Sequence, residues 1–289
     1  MRYLEAGAAM VALALSGLAL IGSAGVHAAG APARVVSINV CTDQLAMLVA
    51  ETDQLHSVSY LSREPQNSAM SEEAAAYPLN HGQAEEVFLM RPDLVLAGTY
   101  TRRATVALLK RLGFQVEQFP PATSFDDVRA NLRRMGTLLA RPERAEALVA
   151  DLDAGLDQAR ATRSGRRVAL SFSNSYTSGV GTLSQAVLDA AGLDNIAGEL
   201  GIEGTERLPL ETLIMADPDL IVSGERDYGA PALAGENFRH PAYRALARRK
   251  TFVAVATKYW VCGGPFTLQA VRILREAATA SPSLARHGE

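Results

Sequence analysis

Residues 85–98 and 211–224 form a weak internal repeat, and that repeat constrains the fold more than any other feature of the chain. Glu85-Glu86-Val87-Phe88-Leu89-Met90-Arg91-Pro92-Asp93-Leu94-Val95-Leu96-Ala97-Gly98 aligns without a gap on Glu211-Thr212-Leu213-Ile214-Met215-Ala216-Asp217-Pro218-Asp219-Leu220-Ile221-Val222-Ser223-Gly224, at an offset of 126. Each copy reads as a short helix opening with Glu, a Pro-Asp break, an apolar strand and a Gly turn. Proline ends the helix because its ring disfavours helical geometry in the residue before it. The unbroken run of branched apolar residues suits a strand covered on both faces. A second echo pairs Arg34-Val35-Val36-Ser37-Ile38-Asn39 with Arg167-Val168-Ala169-Leu170-Ser171-Phe172, the first strand of each half.

Around these anchors strands and helical stretches alternate. In the first half the pattern predicts strands over 35–38, 55–60, 94–97 and 116–119, with helices over 42–50, 85–90 and 101–112. In the second it predicts strands over 168–172, 220–222 and 253–255, with helices over 183–191, 210–215, 243–247 and 266–278. Such alternation implies a largely parallel sheet in each half. Between the halves, Ser124 caps a helix reaching about residue 140, and a charged amphipathic helix follows over 143–161. A flexible hinge would be rich in Gly, Ser or Pro. This connector reads instead as a stiff strut, so the halves are expected to rock only slightly.

Residues 1–28 read as an export signal. Arg2 marks a short first region, residues 6–26 form an apolar run, and Val26-His27-Ala28 offers a small-residue cleavage site. Cleavage after Ala28 would release a soluble chain into the periplasm. The run is about long enough to span a bilayer, but Gly7, Gly17, Gly22 and Gly25 weaken it as an anchor. The expected organisation is therefore a signal at 1–28, a first lobe at 29–123, a helical connector at 124–165 and a second lobe at 166–289. A net charge of −3 gives no electrostatic footprint for nucleic acid. Two cysteines, Cys41 and Cys262, are too few for a disulfide scaffold.

The start at Arg34-Val35-Val36-Ser37, the 82–98 segment, the helical strut and the second Pro218-Asp219-Leu220-Ile221-Val222 segment together resemble the periplasmic binding proteins for cobalamin and ferric siderophores. The resemblance covers essentially all of the chain after residue 28. It implies an α/β fold of two similar lobes with mainly parallel sheets, joined by a single long α-helix, with the ligand cleft between them. It implies a monomer that captures a bulky metal complex, cobalamin or a ferric siderophore, and delivers it to the permease and ATPase of an ABC importer. It also implies that Glu85 and Glu211, each seven residues before the Pro of its copy, meet permease arginines. A Glu in the first turn of a helix is favoured by the helix dipole in any case; equivalence in the two halves is what argues for docking.

In open α/β lobes, ligands bind beyond the carboxyl ends of the strands. That rule selects Asn39, Cys41, Thr42, Tyr60, Thr99, Tyr100 and Arg102 in the first half. In the second it selects Ser173, Asn174, Tyr176, Arg226, Tyr228, Lys258, Tyr259, Trp260 and Cys262. Five of the eight tyrosines and the single tryptophan fall in this set, which suits a bulky, planar, partly polar ligand. Arg102, Arg226 and Lys258 would meet anionic groups. The cysteines lie on such loops in opposite halves, where they could pair across the cleft, line it as free thiols or offer a soft metal ligand. The reading taken is free thiols beside the ligand, with Gly263-Gly264 allowing close backbone approach to either.

Rival functions have weaker support. No Gly-x-Ser-x-Gly elbow or phosphate-binding loop is present, and Gly179-Val180-Gly181 lacks the third glycine of a dinucleotide motif. A binder is expected rather than an enzyme, with no intrinsic cofactor. Heme is an alternative cargo. A bare zinc or manganese site would need several converging histidines and carboxylates, and His56, His81, His240 and His287 are scattered.

Overall fold

The two copies of the repeat take equivalent places in two parallel sheets. In the computed structural model, residues 30–160, 163–224 and 236–279 are described; the expected signal at 1–28 lies outside them. The first lobe runs β1 (Val35–Ser37), α1 (Val40–Val49), β2 (Leu55–Ser59), β3 (Leu79–Asn80), α2 (Ala84–Met90), β4 (Leu94–Gly98), α3 (Arg103–Arg111) and β5 (Val116–Phe119). Two helices follow, α4 (Phe125–Leu138) and α5 (Pro142–Ala159). The second lobe continues with β6 (Arg167–Leu170), β7 (Tyr176–Ser178), α6 (Leu183–Ala190), β8 (Asp194–Asn195), α7 (Ile196–Glu199), β9 (Thr205–Arg207), α8 (Leu210–Ala216) and β10 (Leu220–Ser223). It ends on α9 (Glu236–Arg239), α10 (Pro241–Arg249), β11 (Thr251–Ala254) and α11 (Leu268–Thr279).

The sheet orders are β3-β2-β1-β4-β5 and β11-β10-β6-β8, with every pair in both sheets parallel. The register repeats as well: Val35 pairs with Leu94, and Val168, the second residue of the matching echo, pairs with Leu220. A charged clamp holds each strand start. Asp93 accepts from the Arg34 backbone N–H at 3.0 Å while the Arg34 guanidinium reaches the Met90 carbonyl. Asp219 accepts from the Arg167 N–H at 2.8 Å, and the Arg167 guanidinium reaches Ala216, the counterpart of Met90. Helices α2 and α8 both end on a left-handed residue before proline, Arg91 and Asp217.

Alternation along the strands shows why they are buried. In β4, Leu94 and Leu96 pack with α1, α4 and α5, whereas Val95 and Ala97 pack with α2 and α3. In β10, Leu220 and Val222 face α6 and α11, while Ile221 faces α7, α8 and α10. Each fully buried Leu or Val contributes about 1.5–3 kcal/mol relative to exposure, so a register slip in these strands is strongly opposed. The shortest strands, β3 and β8, and the antiparallel β7–β9 ribbon carry no period long enough to read from sequence.

The connector differs from a lone strut. Helix α5 folds back along α4: Arg129 meets Asp153, Arg133 meets Glu146, and a Cβ placed on Gly136 would lie 2.4 Å from Ala145 Cβ. The 18 residues of α5 extend over about 27 Å. Its Leu148, Val149 and Leu152 belong to the first lobe's core, and Ala159 to the second's. Leu183 and Leu268 of the second half also enter the first core. The lobes thus share apolar contacts beside the helix. No helix among the described residues is long and apolar enough to cross a membrane.

Gly136→Ala tests the α4–α5 crossing. Alanine should gain up to about 1 kcal/mol of helix propensity, yet its methyl has no flexible neighbour to displace. Urea unfolding should show a net loss of about 1–3 kcal/mol, the usual cost of overpacking.

Candidate ligand-binding cleft

A disulfide shows where the carboxyl ends of the two sheets meet. Cys41, in the first turn of α1 just beyond β1, is bonded to Cys262, eight residues beyond the end of β11, with Cα atoms 5.1 Å apart. The expectation of free thiols is corrected. Facing strand ends bring two loops separated by 221 residues within the 4.4–6.8 Å span that a disulfide needs. The glycine that follows serves the same approach. A Cβ on Gly263 would lie 2.6 Å from both Ala122 Cβ and Val128 Cγ2, so this backbone packs against the connector.

On the first lobe, Asn39 is spent on structure: its side chain caps α1, accepting from the Cys41 and Thr42 N–H groups. Thr42 is buried and bonded to Ser37. Tyr60 is 42% exposed in the turn after β2, and its ring stacks on His81 with centroids 5.3 Å apart. Tyr100 is 88% exposed after β4, and Arg102 stands exposed at the start of α3. On the second lobe, Asn174 is exposed in a left-handed conformation and Tyr176 is partly exposed beneath the Arg207 guanidinium, 5.9 Å from the ring centre. Lys258 lies over the Tyr259 ring. Arg226 and Tyr228 fall outside the described residues.

Trp260 does not present its face to a cleft. It is 4% exposed, belongs to the second lobe's core, and meets Phe172 edge-on with centroids 5.9 Å apart. The turn at Thr257–Tyr259 directs it inward and leaves Val261 outside. The strand-end rule selects a loop but cannot tell which of its residues faces in.

Two features went unread in the sequence. His81 follows a strand too short to show a pattern. Asp43 looks like an ordinary acid in a helix's first turn, yet it is fully buried. Its Oδ2 accepts from the Ser59 N–H at 3.0 Å, the Ser59 hydroxyl at 2.5 Å and the Ser62 hydroxyl at 2.6 Å. These serines flank Tyr60, so the carboxylate pins the turn that presents that ring. The Ser37 hydroxyl is engaged with Thr42 at 2.8 Å, and Asp43 Oδ1 has no partner. Burial pushes this carboxyl up to about 6, against the opposing pull of the serine hydroxyls.

Two parallel α/β lobes, tied together near their strand ends through Cys41 and Cys262, place the chain in the class of two-lobed binding-protein folds. The chain belongs to the periplasmic binding protein family, whose sequence profile matches residues 35–257. A cobalamin-binding protein of Halobacterium salinarum is 32% identical over 203 residues, covering 67% of this chain and 54% of the relative. The matched region thus spans about half the length of that relative. The solved heme-binding protein RhuT of Roseiflexus sp. RS-1 superposes with a TM-score of 0.69 at 22% identity, covering 85% of this chain and 98% of its own. The vitamin B12-binding protein BtuF of Vibrio cholerae gives 0.65 at 19% identity, covering 86% and 96%.

Two measurements follow from this geometry. Replacing Cys41 and Cys262 by serine together should cost about 2–5 kcal/mol in urea unfolding, since closing so long a loop removes much denatured-chain entropy. For Asp43, the folded carboxyl holds its proton more tightly than the unfolded one, so stability falls as pH rises from the ordinary carboxylate range through about 6. Lowering the pH from 7.5 to 5 should therefore stabilise the wild type by about 1–2 kcal/mol relative to Asp43→Asn, read as the difference between their urea curves at each pH.

Proposed function

We propose that this protein is the solute-binding component of an ABC importer for a bulky metal complex, with a corrinoid as the first cargo and a ferric siderophore as the second. The observation that supports the reading is a set of exposed aromatics, Tyr60 and Tyr100 following β2 and β4 on one lobe and Tyr176 at the start of β7 on the other, in lobes tied together near their strand ends through Cys41 and Cys262. Aromatic faces give a large planar cargo contact area without a demand for its net charge. The cobalamin-binding relative, at 32% identity, supports the corrinoid more strongly than the heme-binding structures support heme, because identity near 20% speaks to the fold alone. In this reading residues 1–28 are removed on export and the protein acts as a periplasmic monomer without catalytic turnover. Its lobes are residues 29–123 and 166–289, and residues 124–165 connect them.

Docking falls to Glu85 and Glu211. They occupy matching first-turn positions of α2 and α8, both are exposed, and among the described residues neither makes an ion pair. Burial agrees at nine of the ten positions when 85–94 is laid on 211–220, so the two tips offer like surfaces. Each carboxylate is available for a charge-assisted, bidentate pair with arginine.

Calorimetric titration with cyanocobalamin, a ferric hydroxamate, hemin and zinc, joined to uptake measurements, tests the proposal. The corrinoid should bind at about micromolar Kd or tighter. Reversing both charges, Glu85→Arg with Glu211→Arg, should cut uptake by about tenfold or more, with affinity unchanged within about twofold. Binding to none of the metal complexes would overturn the cargo assignment. A parallel fall in affinity and uptake would overturn the docking role.

A further inference from the structure

His81 follows β3 directly, at the carboxyl end of the first sheet. Ser59 and Asn80 are register partners in β2 and β3, so the next residues, Tyr60 and His81, leave the sheet side by side. Their rings are stacked with planes 24° apart. The histidine backbone is fixed through Glu86, whose Oε2 accepts its N–H at 2.7 Å. The residue before it is fixed too: buried Asn80 donates to the Ser37 carbonyl at 2.8 Å and the Ser57 hydroxyl at 2.9 Å, and accepts from the Gly82 N–H at 3.1 Å. The ring is fixed by a longer bond, Nδ1 to Glu86 Oε1 at 3.4 Å.

With Nδ1–H turned to the carboxylate, the neutral imidazole carries its lone pair on Nε2. Nε2 has no hydrogen-bond partner among the described residues, and the side chain is 65% exposed. A carboxylate on the far nitrogen is the device that sets tautomer, orientation and basicity in metal-ligating histidines. Surface histidines in general need no such support. Here the ring is held on two sides, by an acid and by an aromatic, while its donor atom is left open.

We propose that His81 Nε2 is an axial ligand to the metal of the bound complex, with Glu86 as the positioning residue. This rests on the metal-complex reading above and narrows it. In the step implied, the Nε2 lone pair displaces water from Co(III) or Fe(III). One metal–oxygen bond breaks, one metal–nitrogen bond forms, water departs, and the oxidation state is unchanged. The site selects macrocyclic complexes with an exchangeable axial position over saturated ones, such as a ferric tris-hydroxamate or a corrinoid blocked by cyanide on both faces.

Aquacobinamide and dicyanocobinamide separate the possibilities, titrated into the full chain and followed by visible absorbance and by calorimetry. The wild type should shift the aquacobinamide bands to those of a nitrogen-ligated corrinoid and bind it about tenfold or more tightly than His81→Ala, which should leave the bands unshifted. Both proteins should bind dicyanocobinamide equally and melt at the same temperature, because the ring is exposed. Glu86→Gln should keep the shift with weaker affinity. Equal aquacobinamide affinity in wild type and His81→Ala, with unshifted bands, would overturn axial ligation and leave corrinoid capture standing. Failure of the wild type to bind either corrinoid would overturn the corrinoid assignment and this proposal together.

Discussion

A parallel strand buried on both faces has to be covered twice, and most of this molecule follows from that requirement. Val35 and Val36 are neighbours in β1, yet they belong to different apolar clusters, one roofed by α1, α4 and α5 and the other by α2 and α3. The second lobe solves the same problem with α6 and α11 on one side and α7, α8 and α10 on the other. With both faces occupied, the only open parts of each sheet are its edges and its strand ends. The proposed ligand site falls on the loops at the carboxyl ends, where Tyr60, His81 and Tyr100 emerge.

The polar groups beneath those loops explain how an exposed turn holds its shape. Asp43 ties Ser59 and Ser62 from below Tyr60, and Asn80 ties the strand before His81 to β1 and β2. Buried polar groups are costly unless bonded. Oδ1 of Asp43 is left unbonded, so this anchor is bought with desolvation that a serine-only network would not incur. The aromatic and imidazole rings stand on a rigid floor, which limits the entropy lost when a ligand orders them.

The repeat was legible because it combines three signals in fixed order: a first-turn Glu, a Pro-Asp break and an apolar run. In both copies the helix ends before the proline as read, and the structure adds a left-handed residue at each of those ends. The helical connector was legible from its length, but its packing on itself was not, since Gly136 meeting Ala145 is a contact between helices rather than a property of either. The cleft was legible only as a set of loops. Trp260 and Tyr60 both follow strands and both are aromatic; one is in the core and the other in solvent, and nothing within a few residues of either distinguishes them. The state of Cys41 and Cys262 depended on which ends of the sheets face each other, a tertiary fact. Tyr60 and His81 become a pair only once β3, two residues long, is placed beside β2.

The bond between Cys41 and Cys262 also bears on how the protein is made. These are the two cysteines of the chain, so a single intramolecular pairing exists and no shuffling among wrong partners can arise within one molecule. The hazard lies in time. Cys41 is synthesised long before its partner, 221 positions later, and until then any oxidant or second copy of the chain can engage the thiol. All the buried residues of the first lobe's core except Leu183 and Leu268 lie between residues 35 and 152, upstream of Cys262, and Cys41 stands at the start of α1 on that core. Early folding of that lobe would hold the waiting thiol at one defined place beyond β1 until the end of the chain arrives, so the order of synthesis itself favours the pairing.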